Sequence, residues 1–388
     1  MEDIQFLELR KFVAPEFVFG RDASGLAGQY AVNLGARRVL LVTDPKLIAA
    51  GWVGKVQASL EEAGLSWAMY SDVTPNPRDH EVMEGARVYE REGCDAIVAV
   101  GGGSPMDLAK GVGIVSASKR HILEFEGVDQ VDVPGPPLVC VPTTAGSSAD
   151  VSQFAIINDT ARRLKIAIVS KTMVPDAALI DPVLTTTMDL ETTASCGFDA
   201  LTHAIEAYIS NASSPVTNLF ALSALRRIFT TLPAVMRDQQ NLGLRAKMML
   251  GSLDAGLAFS NAILGAVHAM AHSLGGLLDT HHGESNAILL RHVIDFNFEL
   301  VAERYCDIGE AMGLDLKGMT MAHRKRVLLD AIDGLRREVG VTSTLGELGV
   351  TRADIPKLAE NAMRDPCMIT NPRRPTQKDI ERLYEQAL

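Results

Sequence analysis

The chain predicts two domains of different class: an α/β domain on a doubly wound parallel sheet, then an all-helical domain. Three observations carry this. Short, almost uninterrupted apolar runs alternate with helical stretches up to residue 185, and from 186 the chain reads as helix after helix. The 388 residues also exceed what one small core organises. A strand buried on both faces reads as a continuous apolar run because helices cover it from both sides.

In chain order, residues 38–43 (RVLLVT) read as a strand and 46–63 as a helix. A strand over 65–70, a helix over 78–92 and a strand over 96–100 (AIVAV) follow. Residues 138–141 add a buried strand, and 153–157 with 165–169 form a hairpin. Thr186 and Asp189 in TTMD make a capping box that opens the helical half. The expected domains are therefore 1–185 and 186–388.

Composition narrows the function. A net charge of −11 argues against a nucleic-acid partner, which needs a clustered basic surface. The one basic cluster, His323-Arg324-Lys325-Arg326, precedes an apolar helical run and reads as a solvated helix face. Five scattered cysteines, none spaced CxxC, point to reduced thiols rather than a disulfide framework. The N-terminal MEDIQFLELRKF lacks a leader-like apolar core, and no 18-residue run is uninterruptedly apolar. The expectation is a soluble, cytoplasmic protein with no membrane partner.

The segment from Asp95 to Lys110 (DAIVAVGGGSPMDLAK) is a strand, a glycine turn and a helix start. Glycines let the backbone approach an anion closely, and a helix N-terminus presents N–H groups to it. Ser104 is expected as the N-cap, Pro105 at the first helical position and Asp107 as the far end of a capping box. The turn reads as a pyrophosphate site, although a glycine turn could also simply join strand to helix. A second loop, Pro142-Thr143-Thr144-Ala145-Gly146-Ser147, places hydroxyls at the carboxyl edge of the sheet, where open α/β folds bind ligands. Asp44 has two readings: acceptor for an adenosine ribose, its charge repelling a 2′-phosphate, or N-cap of the next helix ahead of Pro45.

Five of the nine histidines fall between His203 and His282. Asp199 and His203 are four apart, as are His268 and His272, so each pair projects from one helix face. His281 and His282 follow in a loop. Imidazoles with one carboxylate suit a borderline ion such as Zn(II) or Fe(II), not Mg or Ca. Small neighbours such as Ala266, Ala269, Ala271 and Gly275 leave space beside the rings. Burying this set without a cation would cost several kcal/mol, at about 2–7 for each unpaired polar group.

With these pieces in place the sequence resembles the iron-containing (group III) alcohol dehydrogenase family over nearly its full length. GGGSPMDLAK matches that family's glycine loop, PTTAG its second cofactor loop, and DALTH, HAMAH and HGESNA its metal segments; Asn371-Pro372-Arg373 matches a recurrent NPR. The resemblance implies a Rossmann-like NAD-binding domain and a helical metal domain, the dehydroquinate synthase-like architecture. It implies Asp199, His203, His268 and His282 as ligands of Fe(2+), with Zn(2+) possible, and places His272 beside the nicotinamide as a catalytic proton carrier. By the same route Asp44, Asn76, Gly102, Gly103, Ser104, Asp107, Thr143, Thr144, Ser147 and Lys165 contact NAD, and Phe154, Phe259 and Cys367 line the substrate pocket.

Two departures stand out. Residues 147–152 read SSADVS where the family pattern is close to TGSEVT, which bears on cofactor affinity. His281 replaces a frequent proline, either as a bystander or as a competing ligand. The resemblance implies reversible hydride transfer between a short-chain primary alcohol or aldehyde and NAD in a homo-oligomer, a dimer. The alternatives are a low-turnover regulatory or sensor paralogue and a zinc-dependent polyol (glycerol-type) dehydrogenase.

Overall fold

The computed structural model describes residues 9–388; residues 1–8, most of the N-terminal stretch read above for a leader, lie outside them. The chain divides into two compact units, residues 13–188 and residues 189–388, the second also taking in 9–12. In that short segment Phe12 stacks on Phe220 with ring centroids 5.7 Å apart.

The α/β unit holds nine strands: β1 (Glu16–Phe19), β2 (Arg38–Val42), β3 (Ser66–Tyr70), β4 (Ala96–Gly101), β5 (Gly127–Val128), β6 (Leu138–Pro142), β7 (Phe154–Asp159), β8 (Leu164–Val169) and β9 (Ala177–Ile180). Its helices are α1 (Ala27–Asn33), α2 (Pro45–Ala49), α3 (Trp52–Glu62), α4 (Asp79–Arg91) and α5 (Gly103–Ser118). Six strands form one parallel sheet in the order β1-β9-β6-β4-β2-β3. Alternate residues face opposite ways. Leu40, Val42, Ile97, Ala99 and Cys140 enter one core with α4 and α5, whereas Val39, Leu41, Val98, Val100 and Val141 enter another with α1 and α3.

The hairpin β7–β8 is antiparallel and carries β5 on its other edge. The helix expected over 46–63 is two helices, because Gly51 turns left-handed (φ 84) between α2 and α3. Strands β1, β5 and β9 were not foreseen.

The helical unit comprises α6 (Leu190–Ile209), α7 (Pro215–Arg237), α8 (Leu242–Ala262), α9 (Ala266–Leu278), α10 (His282–Asn297), α11 (Ala302–Ala311), α12 (Met321–Glu338), α13 (Ile355–Arg364) and α14 (Gln377–Ala387). The expected Thr186–Asp189 capping box does not form. Asp189 itself caps α6, accepting from the Thr192 N–H at 2.7 Å, while Thr186 lies in a 3-10 turn. Length and composition alone would let α7 cross a bilayer. Its stripe of Ala221, Ala224, Leu225, Ile228, Leu232 and Val235 is instead buried within the unit.

Candidate metal centre and cofactor loops

Helix α6 places Ser195, Asp199, His203 and Glu206 at spacings of four, four and three, so they share one face. All four are buried, and buried polar groups demand partners. Glu206 finds several at once. Its carboxylate accepts from the N–H groups of Gly265 (3.0 Å) and Val267 (2.7 Å), weakly from that of His268 (3.4 Å), and lies 2.7 Å from His268 Nδ1. Asn371 takes the Ala266 N–H at 3.2 Å. The first turn of α9, which a helix leaves unsatisfied, is thus closed by a carboxylate from α6 and an amide from the NPR segment. Gly265 suits this place, because a Cβ would stand 2.8 Å from Glu206 Oε1 and displace the carboxylate.

The Glu206 contact also decides which imidazole nitrogen faces inward. With Nδ1–H donated to a carboxylate, Nε2 of His268 keeps its lone pair for a ligand, the arrangement that orients histidines at metal sites. Three such nitrogens converge on a single oxygen. Asp199 Oδ1 lies 3.5 Å from His268 Nε2, 3.5 Å from His282 Nε2 and 3.8 Å from His203 Nε2. These separations are too long for good hydrogen bonds. They do suit donors on a common cation: bonds of about 2.1 Å in a tetrahedron imply edges of about 3.4 Å.

Among the described residues, Asp199, His268 and His282 form a group whose donor atoms all lie within 4.8 Å of one another. His203 joins them through its ring, stacked on His268 at 4.5 Å. Asn286, one turn beyond His282 on α10, donates to Asp199 Oδ1 at 2.8 Å. Its buried amide oxygen has no partner among the described residues, as expected beside a site built for a ligand. The donor set fits a divalent Fe(II) or Zn(II) ion.

Electrostatics agree. Burial alone would raise the Asp199 pKa, but the imidazoles of His203, His282 and His268 outweigh it and hold the carboxyl well below its usual range. Burial would likewise lower His268, yet the carboxylates of Asp199 and Glu206 beside it push it up to about 9. Two buried carboxylates therefore call for positive charge at this spot, and a divalent cation supplies it.

His272 sits a turn beyond His268, its ring stacked on that of His282 at 5.3 Å. Its Nδ1 lies 2.8 Å from Asp365 Oδ2. Burial would raise the Asp365 carboxyl, but His272 beside it holds it below the usual range. Asp365 also accepts the Cys367 N–H at 2.8 Å, and burial drives the Cys367 thiol far up. Asp365, His272 and Cys367 could also serve as three ligands, but the 2.8 Å contact is that of a proton shared between imidazole and carboxylate. Phe259 stacks on His203 at 4.2 Å. His281 takes no part in the donor set. Its Nδ1 is 2.7 Å from Ser195 Oγ.

In the α/β unit Asp44, Gly102 and Thr143 follow β2, β4 and β6 at their carboxyl ends, whereas Lys165 lies at the start of β8. The chain leaves β2 for β3 on one side and returns to β4 on the other, so the loops after β2 and β4 flank the topological switch point. Asn76 follows β3 in a left-handed conformation (φ 57) that asparagine tolerates. The glycine loop follows β4 and packs directly on the loop after β6. A Cβ on Gly102 would meet Thr144 at 3.1 Å, and one on Gly103 would meet Ser147 at 3.0 Å.

Here the expected caps are corrected. Gly102, not Ser104, is the N-cap; the helix starts at Gly103, and no side chain caps it. Pro105 is therefore the third helical residue, and Asp107 lies a turn inside, beyond capping reach. Asp107 instead accepts the Ile156 N–H at 3.1 Å, and burial raises its pKa to about 6 against the pull of Lys110. An uncapped first turn behind three glycines is what an anion needs.

Asp44 caps α2, accepting from Lys46 N (2.9 Å) and Leu47 N (3.1 Å) through one oxygen. Thr143 is buried, and Lys165 is buried on β8. In the SSADVS segment Asp150 is buried and its pKa raised to about 6 by that burial. The Lys110 ammonium donates to the carbonyls of Ser152 (2.9 Å) and Phe154 (2.7 Å), tying α5 to β7, where Phe154 is buried.

Asn286 and Asp365 were not singled out from the sequence, and Asn371 entered only as part of the NPR match. Glu206, which continues the Asp199–His203 face, reads from the sequence as a cap or outer partner rather than a ligand, and that is the place it takes.

Comparison with known proteins agrees with this chemistry. A family model described as iron-containing alcohol dehydrogenase matches residues 14–182, and one described as the Fe-containing alcohol dehydrogenase family, C-terminal, matches residues 193–388. The 1,3-propanediol dehydrogenase of Klebsiella pneumoniae is 40% identical over 371 residues, covering 95% of this chain and 96% of that protein. The NAD-dependent methanol dehydrogenase of Bacillus methanolicus is 36% identical, covering 97% and 99%. A crystal structure of a 1,3-propanediol oxidoreductase superposes with a TM-score of 0.95 at 39% identity, covering 98% of this chain and all of that one.

Proposed function

Because this chain belongs to the iron-containing alcohol dehydrogenase family, an oxidoreductase family acting on CH–OH groups, we propose that it transfers hydride reversibly between a short-chain primary alcohol, or its aldehyde, and NAD. In this reading Asp199, His203, His268 and His282 hold Fe(II), a set that would also accept Zn(II). The observation that carries it is the approach of three imidazole Nε2 atoms to one carboxylate oxygen at 3.5–3.8 Å. A cation there supplies Lewis acidity to the substrate oxygen.

The rest falls to the chain's own groups. Glu206 keeps the His268 lone pair directed inward. Asp365 holds the Nδ1 proton of His272, which leaves Nε2 as the atom that takes or returns the alcohol proton. Phe154 in the α/β unit, and Phe259 and Cys367 in the helical unit, are each apolar, which suits a small substrate, in keeping with relatives named for propanediol and methanol.

The glycine turn and α5 take the pyrophosphate on the N–H groups around Gly102, Gly103 and Ser104, with Asn76, Thr143, Thr144, Ser147 and Lys165 around it. Asp107, turned to β7, acts by fixing the loop. Asp44 stands after β2 with one oxygen on the helix cap and its charge available against a 2′-phosphate. Asp44→Ser keeps a good cap residue while removing that charge. We expect its preference for NAD over NADP to fall at least about tenfold, about 1.4 kcal/mol, with the melting temperature nearly unchanged; steady-state kinetics with both cofactors check this. An unaltered preference would remove Asp44 from the cofactor site.

The five free cysteines suit a reducing, cytoplasmic setting. The family resemblance supports a homodimer, which sedimentation would test.

The decisive experiment loads the metal-stripped protein anaerobically with Fe(II) or Zn(II) and follows NADH formation with methanol, ethanol, butanol and 1,3-propanediol. Turnover that depends on the metal is expected. Full metal loading with no turnover on any of them would instead leave a binding protein that senses rather than converts.

A further inference from the structure

His281 lies immediately before a proposed ligand yet spends its ring elsewhere. It occupies the N-cap of α10 with φ −68 and ψ 124, and its side chain makes no capping bond to that helix. Its carbonyl accepts from the Ser285 N–H at 3.1 Å, so the backbone is committed to α10. The exposed ring reaches across to α6, where Nδ1 meets the buried Ser195 Oγ at 2.7 Å. Ser195 is one helical turn before Asp199, on the face that carries Asp199 and His203.

Two residues later the same stretch touches Ser195 again. A Cβ on Gly283 would stand 2.3 Å from the Ser195 carbonyl oxygen, so bare backbone packs there. Residues 281 and 283 thus both meet Ser195, and the residue between them is His282, whose Nε2 lies 3.5 Å from Asp199 Oδ1.

We propose that His281 is a positioning residue for the metal: its bond to Ser195 fixes the first turn of α10 on α6 and so holds His282 against Asp199. This rests on the reading of Asp199 and His282 as ligands. The bond lies outside the donor set, so its loss loosens one ligand without removing it. Partners bonded directly to a ligand alter metal affinity by about 10–100-fold; this bond reaches His282 only through the backbone and its ring is exposed, so we place the effect at the lower end, at roughly tenfold.

The test follows the loss of Co(II) to excess chelator, and the visible absorption of the bound ion, in the full chain and six variants. Ser195→Ala, His281→Ala and the double variant should each release metal roughly tenfold faster, the double no faster than either single. His281→Asn should restore the original rate, because its amide presents a nitrogen one bond from Cγ, as Nδ1 does. His281→Pro tolerates the same φ but has no side-chain bond, and should stay fast.

Single variants that release metal at the original rate overturn the inference. So does a double variant whose effect is the product of the singles, or a melting temperature that falls while the release rate and spectrum stay put. Failure of the ligand reading looks different: the unmodified chain and His282→Ala would then bind Co(II) equally.

Discussion

His268→Ala is expected to yield a folded protein without metal and to lower NADH formation by at least about a thousandfold. The Lewis acid contributes several kcal/mol to the transition state, and each 1.36 kcal/mol is about tenfold in rate. His268 is the proposed ligand through which the most interactions pass. It joins Asp199 to Glu206, is stacked with His203, and takes its orientation from a 2.7 Å contact that no other imidazole here makes with Glu206. Metal analysis alongside initial rates checks both losses in one preparation. His272→Ala is the internal control: it should keep its metal while turnover falls, because its partner is Asp365 and not the donor set. A His268→Ala protein that retains stoichiometric metal would dissolve the proposed centre.

The second large effect is expected at Glu206. Leucine at this position would leave the N–H groups of Gly265 and Val267, and the weaker one of His268, without their acceptor in a buried place. Each unsatisfied buried donor costs about 1–3 kcal/mol, against a total stability of about 5–15 kcal/mol. Glu206→Leu should therefore fold poorly or melt well below the unmodified chain. Glu206→Gln keeps an acceptor oxygen but loses the charge, so the fold should survive while metal affinity drops about 10–100-fold. Thermal denaturation and metal titration separate the two consequences. If Glu206→Leu melts like the original, the carboxylate is not the closure of α9.

Three of the four proposed ligands fall in pairs that stand out in the sequence because helical spacing is local; taking His282, and His268 rather than His272, rested on the family resemblance. Residues four apart share a face whatever the helix packs against, so Asp199 with His203, and His268 with His272, stand out together. That periodicity does not say which imidazole turns inward. His272 and His268 are equivalent as a sequence pair. They part only because Glu206 lies opposite one and Asp365 opposite the other, and those carboxylates are 62 and 93 residues away along the chain.

The misplaced helix start has a similar origin. Ser104 has the chemistry of an N-cap, but β4 runs to Gly101, paired with Pro142, and the contacts of Gly102 and Gly103 with Thr144 and Ser147 bring the helix in earlier. The short edge strand β1 (EFVF) and the small β9 (AALI) carry little pattern of their own. Their pairing with each other, and that of β9 with β6, makes them strands.

What the residue order determined alone was everything that depends on near neighbours: strand runs buried on both faces, a glycine turn ahead of a helix, and the histidine and aspartate spacings. Only the folded chain decided which nitrogen of each ring faces Asp199, which acceptor closes α9, and where the side chain of His281 goes. Those outcomes depend on atoms brought together from segments tens of residues apart, and backbone periodicity holds no record of such encounters.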